Sequence, residues 1–455
     1  MVHQYKNNGY NIALDVCSGS VHVVDDLVYD IIANYEGHTK EQVIDILSSY
    51  DSSEVSEAYD EVTGLVEDGT LFTEDIYKDY VIDFKKRKTV VKALCINIAH
   101  DCNLACRYCF AGEGEYKGDR ALMPLDIAKK SLDFLVANSG NRINLEVDFF
   151  GGEPLMNWDV VKETVLYGRS LEKKYNKKFR FTLTTNGVLL NDEIMEFANK
   201  EMHNVVLSID GRKEIHDYMR PTRNGKGSYD LILPKFLEFA KKRAGKSYYV
   251  RGTYTHNNLD FADDVLHMAD LGFDQISFEP VVSLPDEPYA IREEDIPVLC
   301  EQYDKLAKEM IKRHKEGRGF NFFHFMIDLT GGPCVAKRLA GCGSGTEYLS
   351  VTPWGDLYPC HQFVGEEGFC IGNVEEGITR LDIVDEFKLC NVYAKPKCRD
   401  CFARFYCSGG CAANAYKFHG NILDAYDIGC ELQKKRIECA IMIKAALADE
   451  EEKES

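Results

Sequence analysis

The chain has 455 residues, 45% of them hydrophobic, which is long enough for about three domains with cores of their own. A formal net charge of −20 argues against a nucleic-acid backbone or an anionic membrane as principal partner, because both reward basic patches. No signal peptide opens the chain and no apolar run approaches the roughly 18 residues of a membrane span, so a cytoplasmic protein is expected, whose 17 cysteines are metal ligands or packed thiols and not disulfides.

Residues 1–80 open with two short strands, Tyr10 to Leu14 and Val21 to Val24, around a turn containing Ser18-Gly19-Ser20. Helical patterns follow near Asp26 to Asn34, Lys40 to Ser49 and Ser53 to Glu67, and Gly69 precedes Leu71-Phe72. This is the outline of a small winged helix-turn-helix. The segment is acidic, with few lysines and no arginine, so it fits DNA poorly. A charged stretch, residues 81–90, reads as a linker.

Residues 91–320 alternate β-branched runs with amphipathic stretches, the pattern of βα units around a parallel sheet. Six strands are expected near Leu94 to Ala99, Leu145 to Phe150, Phe181 to Thr184, Val205 to Ile209, Tyr249 to Tyr254 and Gln275 to Phe278. The helices between them carry a 3.6-residue stripe, as in Val161, Val165, Gly168 and Leu171. The fold class is therefore α/β, a partial (β/α)6 TIM-like barrel, and chemistry gathers at the carboxyl ends of such strands. Polar signatures stand at each of those ends. They are Cys102-x3-Cys106-x2-Cys109 with Tyr108, then Gly151-Gly152-Glu153-Pro154, Asn186, Ser208 with Asp210, His256, and Glu279-Pro280. A triplet of cysteines with no fourth nearby could hold a [4Fe-4S] cube and leave one iron open. A zinc knuckle is the competing reading, but zinc sites favour paired C-x2-C halves supplying four ligands.

Residues 321–447 carry a second constellation: Cys342-x12-Gly355-x4-Cys360, then Cys398-x2-Cys401-x5-Cys407-x3-Cys411, then Cys430. Cys334 lies just upstream as a candidate extra ligand, whereas Cys17, Cys95, Cys300, Cys370, Cys390 and Cys439 fit no cluster spacing. Cys439 falls on the apolar stripe of Leu432, Ile437, Ala440 and Ile441 and reads as core. The acidic tail, residues 448–455, reads as disordered.

The triplet with its aromatic neighbours and the Gly151 to Pro154 motif resemble the radical S-adenosylmethionine (SAM) superfamily, and the seven later cysteines resemble its SPASM iron-sulfur extension. The whole chain is most similar to the thioether-forming maturases of six-cysteine (SCIFF) peptides. The resemblance implies three [4Fe-4S] clusters and SAM. Cys102, Cys106 and Cys109 would hold the SAM cluster, with Tyr108, Gly151, Gly152, Glu153, Asn186, Ser208, Asp210 and Arg220 around SAM. Cys398, Cys401, Cys407 and Cys430 would hold one auxiliary cluster, and Cys342, Cys360 and Cys411 the other, with an open iron for a substrate thiolate. It further implies that the amino-terminal domain binds the leader of a cysteine-rich precursor peptide by strand addition, and that a low-potential electron donor serves the clusters. A sulfatase-type maturase that oxidises a Cys or Ser side chain, and a non-catalytic iron-sulfur scaffold that binds peptides, are the alternatives.

Overall fold

The amino-terminal segment builds one more strand than its sequence pattern suggests. In the computed structural model, which describes residues 1–79, 86, 88–243, 245–329 and 335–454, β1 (Val2–Asn7), β2 (Tyr10–Asp15) and β3 (Val21–Val24) form an antiparallel sheet in that order. The strand β1 escaped notice because Val-His-Gln-Tyr-Lys-Asn has little apolar signal; pairing with β2 over six residues holds it. Helices α1 (Asp26–Tyr35), α2 (Lys40–Ile46) and α3 (Ser52–Glu67) follow, each opened by a side-chain cap from Asp25, Thr39 or Asp51. They enclose a small core around Ile31, Val43, Val55 and Val62. Most of the expected linker lies outside the described residues.

The central sheet is built from β4 (Ala93–His100), the two-residue β5 (Ala121–Leu122), β6 (Asn144–Gly151), β7 (Lys178–Thr185), β8 (Asn204–Ser208), β9 (Tyr248–Tyr254) and β10 (Gln275–Pro280). The strands β4, β6, β7, β8, β9 and β10 are parallel neighbours in that order, as the six expected βα units require. The intervening helices are α4 (Leu125–Asn138), α5 (Trp158–Tyr175), α6 (Asp192–Glu201), α7 (Lys213–Met219), α8 (Tyr229–Arg243) and α9 (Phe261–Asp270). The stripe Val161, Val165, Gly168 and Leu171 is buried. Gly168 has a packing reason, because a Cβ there would stand 2.6 Å from the Phe181 ring.

Beyond α10 (Ile296–Lys315), the sheet does not stop. β11 (Asn321–Phe322) adds in parallel beside β10. After α11 (Val335–Ala340), β12 (Tyr348–Val351) pairs in parallel with the free edge of β4. β13 (Asp356–Tyr358), β14 (Gly372–Asn373) and β15 (Gly377–Ile378) extend that edge antiparallel. β4 is thus an inner strand, which is why all eight of its residues are buried. Of the short helices α12 (Leu381–Lys388), α13 (Pro396–Arg399), α14 (Arg404–Cys407) and α15 (Ala412–His419), α13 holds Cys398, α14 holds Cys407, and Cys411 stands at the N-cap of α15.

The last helix, α16 (Asp427–Glu454), crosses back under the amino-terminal sheet. Cys439 is fully buried in it, as expected of core. The tail departs from expectation: residues 448–454 continue the helix instead of being disordered, in keeping with the strong helix propensity of Ala, Glu and Lys. Among the described residues no helix is long and apolar enough to cross a membrane.

Candidate active site

The carboxyl end of β4 runs into the cysteine loop, and the loop is pinned from two sides. Asp101 accepts from the Cys102 amide at 2.9 Å and pairs with Arg120 and Arg223. The Ala105 and Arg107 amides donate to the carbonyls of Pro221 and Met219, both at 2.9 Å. The loop is thereby laid against the segment that carries Arg220. Cys102, Cys106 and Cys109 all line one cavity of about 260 Å³ at the mouth of the barrel. Burial pushes the Cys102 and Cys106 thiols up to about 12. A bound metal would favour their thiolate form at neutral pH.

The loop after β6 lies directly against this one. A Cβ on Gly151, whose φ is +122°, would stand 2.4 Å from the Ala99 carbonyl oxygen, and one on Gly152 would stand 2.1 Å from that of Asp101. The two glycines therefore fit this loop to the root of the cysteine loop. Glu153 is 1% exposed and accepts from the Thr185 hydroxyl and Asn186 amide, both at 2.7 Å, and from the Leu155 amide at 3.0 Å. Burial raises its carboxyl to about 7 in spite of these donors. The Asn186 side chain is spent inside the protein. It donates to the Asn103 side-chain oxygen at 2.7 Å, with the Cys102 sulfur 3.7 Å away, and so braces the cysteine turn.

Arg220 reaches the cavity from above Asp210. Its Nε stands 3.0 Å from Asp210 Oδ1, and the guanidinium lies over the Tyr108 ring at 5.4 Å. Burial alone would lower Arg220, but the Asp210 carboxylate overrides this and holds it charged. Asp210 is fully enclosed, accepting from the Tyr108 hydroxyl at 2.5 Å and the Thr253 amide at 2.9 Å, and it does not line the cavity. It positions Arg220 and Tyr108. The remaining predicted cofactor residues, Tyr108, Gly151, Gly152, Glu153, Asn186, Ser208 and Arg220, all do line the cavity. His256 does not, because its ring turns to Asp295 at 2.8 Å. Three thiols beside a carboxylate, a hydroxyl and a guanidinium suit a thiolate-held cluster with a zwitterionic, sulfonium-bearing ligand.

The opposite wall holds residues whose sequence gave little signal. His361 and Gln362 enter the cavity directly after Cys360, and the His361 ring meets Phe110 and Phe150 and takes a contact from the Tyr348 hydroxyl at 3.1 Å. Behind this wall lie the later cysteines. Burial, then the nearness of Cys407, Cys398 and Cys401, pushes Cys430 up to about 12. Burial, then Cys411 and Cys342, raises Cys360. Cys390, outside every spacing rule, lines a small cavity with Cys342. Cys334 lies outside the described residues. Among the described residues no three His, Cys, Asp or Glu side chains converge on a site for one metal ion.

Residues 96–243 match the Radical SAM superfamily. Over 337 residues the chain is 25% identical to the cysteine-type anaerobic sulfatase-maturating enzyme of Clostridium novyi, covering 69% of this chain and 86% of that one. Its fold resembles a structure of anSMEcpe with bound AdoMet, with a TM-score of 0.66 at 20% identity over 78% of this chain and 95% of that chain. It also resembles Streptococcus suis SuiB bound to the precursor peptide SuiA, with a TM-score of 0.53 at 17% identity over 94% and 98%. With the thiol triplet at the head of β4 and the barrel behind it, residues 96–243 are a radical SAM domain, in a chain homologous to the anaerobic sulfatase-maturating enzymes.

Proposed function

We propose that the chain is a radical SAM maturase that installs an intramolecular thioether in a cysteine-rich, ribosomally made peptide. The observation that carries this reading is the position of the cavity. It is bounded on one side by Cys102, Cys106 and Cys109 and on the other by His361 and Gln362, the residues that follow Cys360, so a peptide lying in it meets the first thiol group and the residues next to the second. In this reading Cys102, Cys106 and Cys109 hold a [4Fe-4S] cluster. Glu153, Ser208 and Arg220 face SAM, while Tyr108, Asn186, Asp210, Gly151 and Gly152 shape its berth. Cys398, Cys401, Cys407 and Cys430 hold one auxiliary cluster, and Cys342, Cys360 and Cys411 the other. When bound, these groups supply a 5′-deoxyadenosyl radical for hydrogen abstraction and an iron site for the substrate thiolate, with electrons exchanged with a low-potential donor. The protein's part is to enclose the cavity, since a carbon radical quenches on any loose C–H bond. The β1–β3 sheet takes the leader on the edge of β3.

A second reading, oxidation of a Cys or Ser side chain to an aldehyde, is favoured by the similarity to the Clostridium novyi enzyme. One experiment separates the two: anaerobic incubation of reconstituted protein, SAM and reductant with a candidate cysteine-rich peptide, then thiol alkylation and mass spectrometry. Loss of a pair of hydrogens with one fewer alkylated thiol establishes the thioether. An aldehyde trapped by a hydrazide establishes the second reading. Formation of 5′-deoxyadenosine with the peptide unchanged overturns the substrate assignment.

A further inference from the structure

The far wall of the cavity carries charges that neither cluster nor SAM requires. Arg251 on β9 and Glu279 on β10 line the cavity from adjacent parallel strands, with 47% and 34% of their side chains exposed. Arg251 is paired in register with Ser277 and Thr253 with Glu279, so the two side chains rise from the same inner face, one step apart. Their closest approach is 3.9 Å, too long for a hydrogen bond. Glu279 has two further neighbours from outside the barrel, His324 Nε2 at 3.5 Å and Arg436 Nη1 at 3.9 Å, and among the described residues it accepts a hydrogen bond from none of them. Arg436 is 6% exposed. It donates from Nε to the Tyr303 hydroxyl at 2.7 Å, and its Nη2 has no partner among the described residues. His324 is held neutral by burial and by Arg436, with its pKa lowered to about 3.

A carboxylate ringed by donors that stop short of it, beside a guanidinium that makes no hydrogen bond among the described residues, is an unfinished polar site facing the cavity. The group that completes it must accept from Arg251 and donate to Glu279 at the same time. A carboxylate or phosphate brings acceptors only and meets the charge of Glu279. An ammonium brings donors only and meets Arg251. An amide brings one of each in fixed geometry.

Given the peptide substrate of the preceding section, on which this step rests, we propose that Arg251 and Glu279 clamp an amide of the substrate, the guanidinium donating to its C=O and the carboxylate accepting from its N–H. The clamp fixes the register of the peptide between the cysteine loop and His361, and so selects which carbon is presented for hydrogen abstraction. A trans peptide bond points its C=O and N–H apart, whereas the primary amide of an Asn or Gln presents both on one edge, so the clamped group is an Asn or Gln side chain.

The test uses the reconstituted full chain, its Arg251→Gln, Arg251→Lys and Glu279→Gln variants, and the leaderless core of a cysteine-rich peptide that the wild-type chain cross-links and that contains Asn or Gln. Arg251→Gln and Glu279→Gln should each raise the peptide KM about 10- to 100-fold and raise the ratio of 5′-deoxyadenosine to cross-linked product. SAM affinity and the cluster EPR spectrum should not change. The double variant should lose less than the sum of the two, and Arg251→Lys should recover part of the loss. Replacing the clamped Asn or Gln of the peptide by Ala should reproduce the Glu279→Gln loss; a peptide whose Asn and Gln residues are all replaced with no change in KM overturns the clamp. Unchanged KM and product ratio in both Gln variants overturn the clamp, as does a loss that tracks weakened SAM binding or altered cluster spectra. If the wild-type chain cross-links no candidate peptide, the proposed function falls and the clamp is judged on binding: a weakened core-peptide Kd in Glu279→Gln upholds it, and an equal one overturns it.

Discussion

Single residues at this site are defined by depth, which spacing along a chain does not reveal. Asp210 and Arg220 both sit at positions that point to SAM, yet one is sealed beneath the other, and only Arg220 reaches the cavity. The cysteine triplet was legible because thiols at that spacing have few other uses. Cys106→Ala should therefore abolish 5′-deoxyadenosine formation while keeping the auxiliary iron, about two thirds of the total; normal SAM cleavage by that variant would refute the assignment. Glu153 makes a prediction of a different kind. Its folded pKa of about 7 lies above the ordinary 4.5, so the fold favours the protonated carboxyl. The stability it contributes is complete below about pH 4.5 and is lost as pH rises to about 7, a loss of about 3 kcal/mol. In denaturant melts of the iron-free protein, the margin of wild type over Glu153→Gln should shrink by that order between pH 5 and pH 8. A margin independent of pH would show that Glu153 is ionised throughout.

Among the elements, period was read correctly and edges were not. The six parallel strands and the stripe of α5 followed from alternation and 3.6-residue spacing, because both are set by what a strand or helix buries. The pairing of β12 with β4 could not be read, since four residues, Tyr348–Val351, carry no mark of their partner. Likewise β1 is polar and owes its place to β2 and α16, with the Tyr5 hydroxyl donating to the Glu438 carbonyl at 2.9 Å. The sheet has two outer strands, β1, against which α16 packs, and β3, on which Val23 is 51% exposed. An open edge bearing an exposed apolar residue is a template for strand addition. Val23→Asp should weaken leader binding at least about 10-fold by calorimetry while iron content and SAM cleavage stay at wild-type levels. Unchanged affinity would move the leader elsewhere.

Across the whole molecule, the amino-terminal domain is braced on the loop that carries the auxiliary cysteines. Arg404 stands between Cys401 and Cys407 and is 3% exposed. Its guanidinium donates to Asp75 at 3.0 Å, to the Cys17 sulfur at 3.5 Å and to the Arg399 carbonyl at 2.8 Å, and among the described residues its Nε has no partner. Asp75 also accepts from the Tyr393 hydroxyl at 2.7 Å. A second brace is the His3 ring, stacked on Phe402 at 3.5 Å and bonded to Glu438 at 2.9 Å. A buried guanidinium that loses its carboxylate keeps its desolvation cost without compensation, about 3 kcal/mol or more. Asp75→Ala therefore removes one carboxylate from the amino-terminal side but strains the cysteine loop on the other. The expected outcome is a lower denaturant midpoint together with faster loss of auxiliary iron to a chelator, while the iron held by Cys102, Cys106 and Cys109, counted by its SAM-dependent EPR signal, is retained. If both pools of iron leave at the wild-type rate, Asp75 and Arg404 join the domains without supporting the cluster loop.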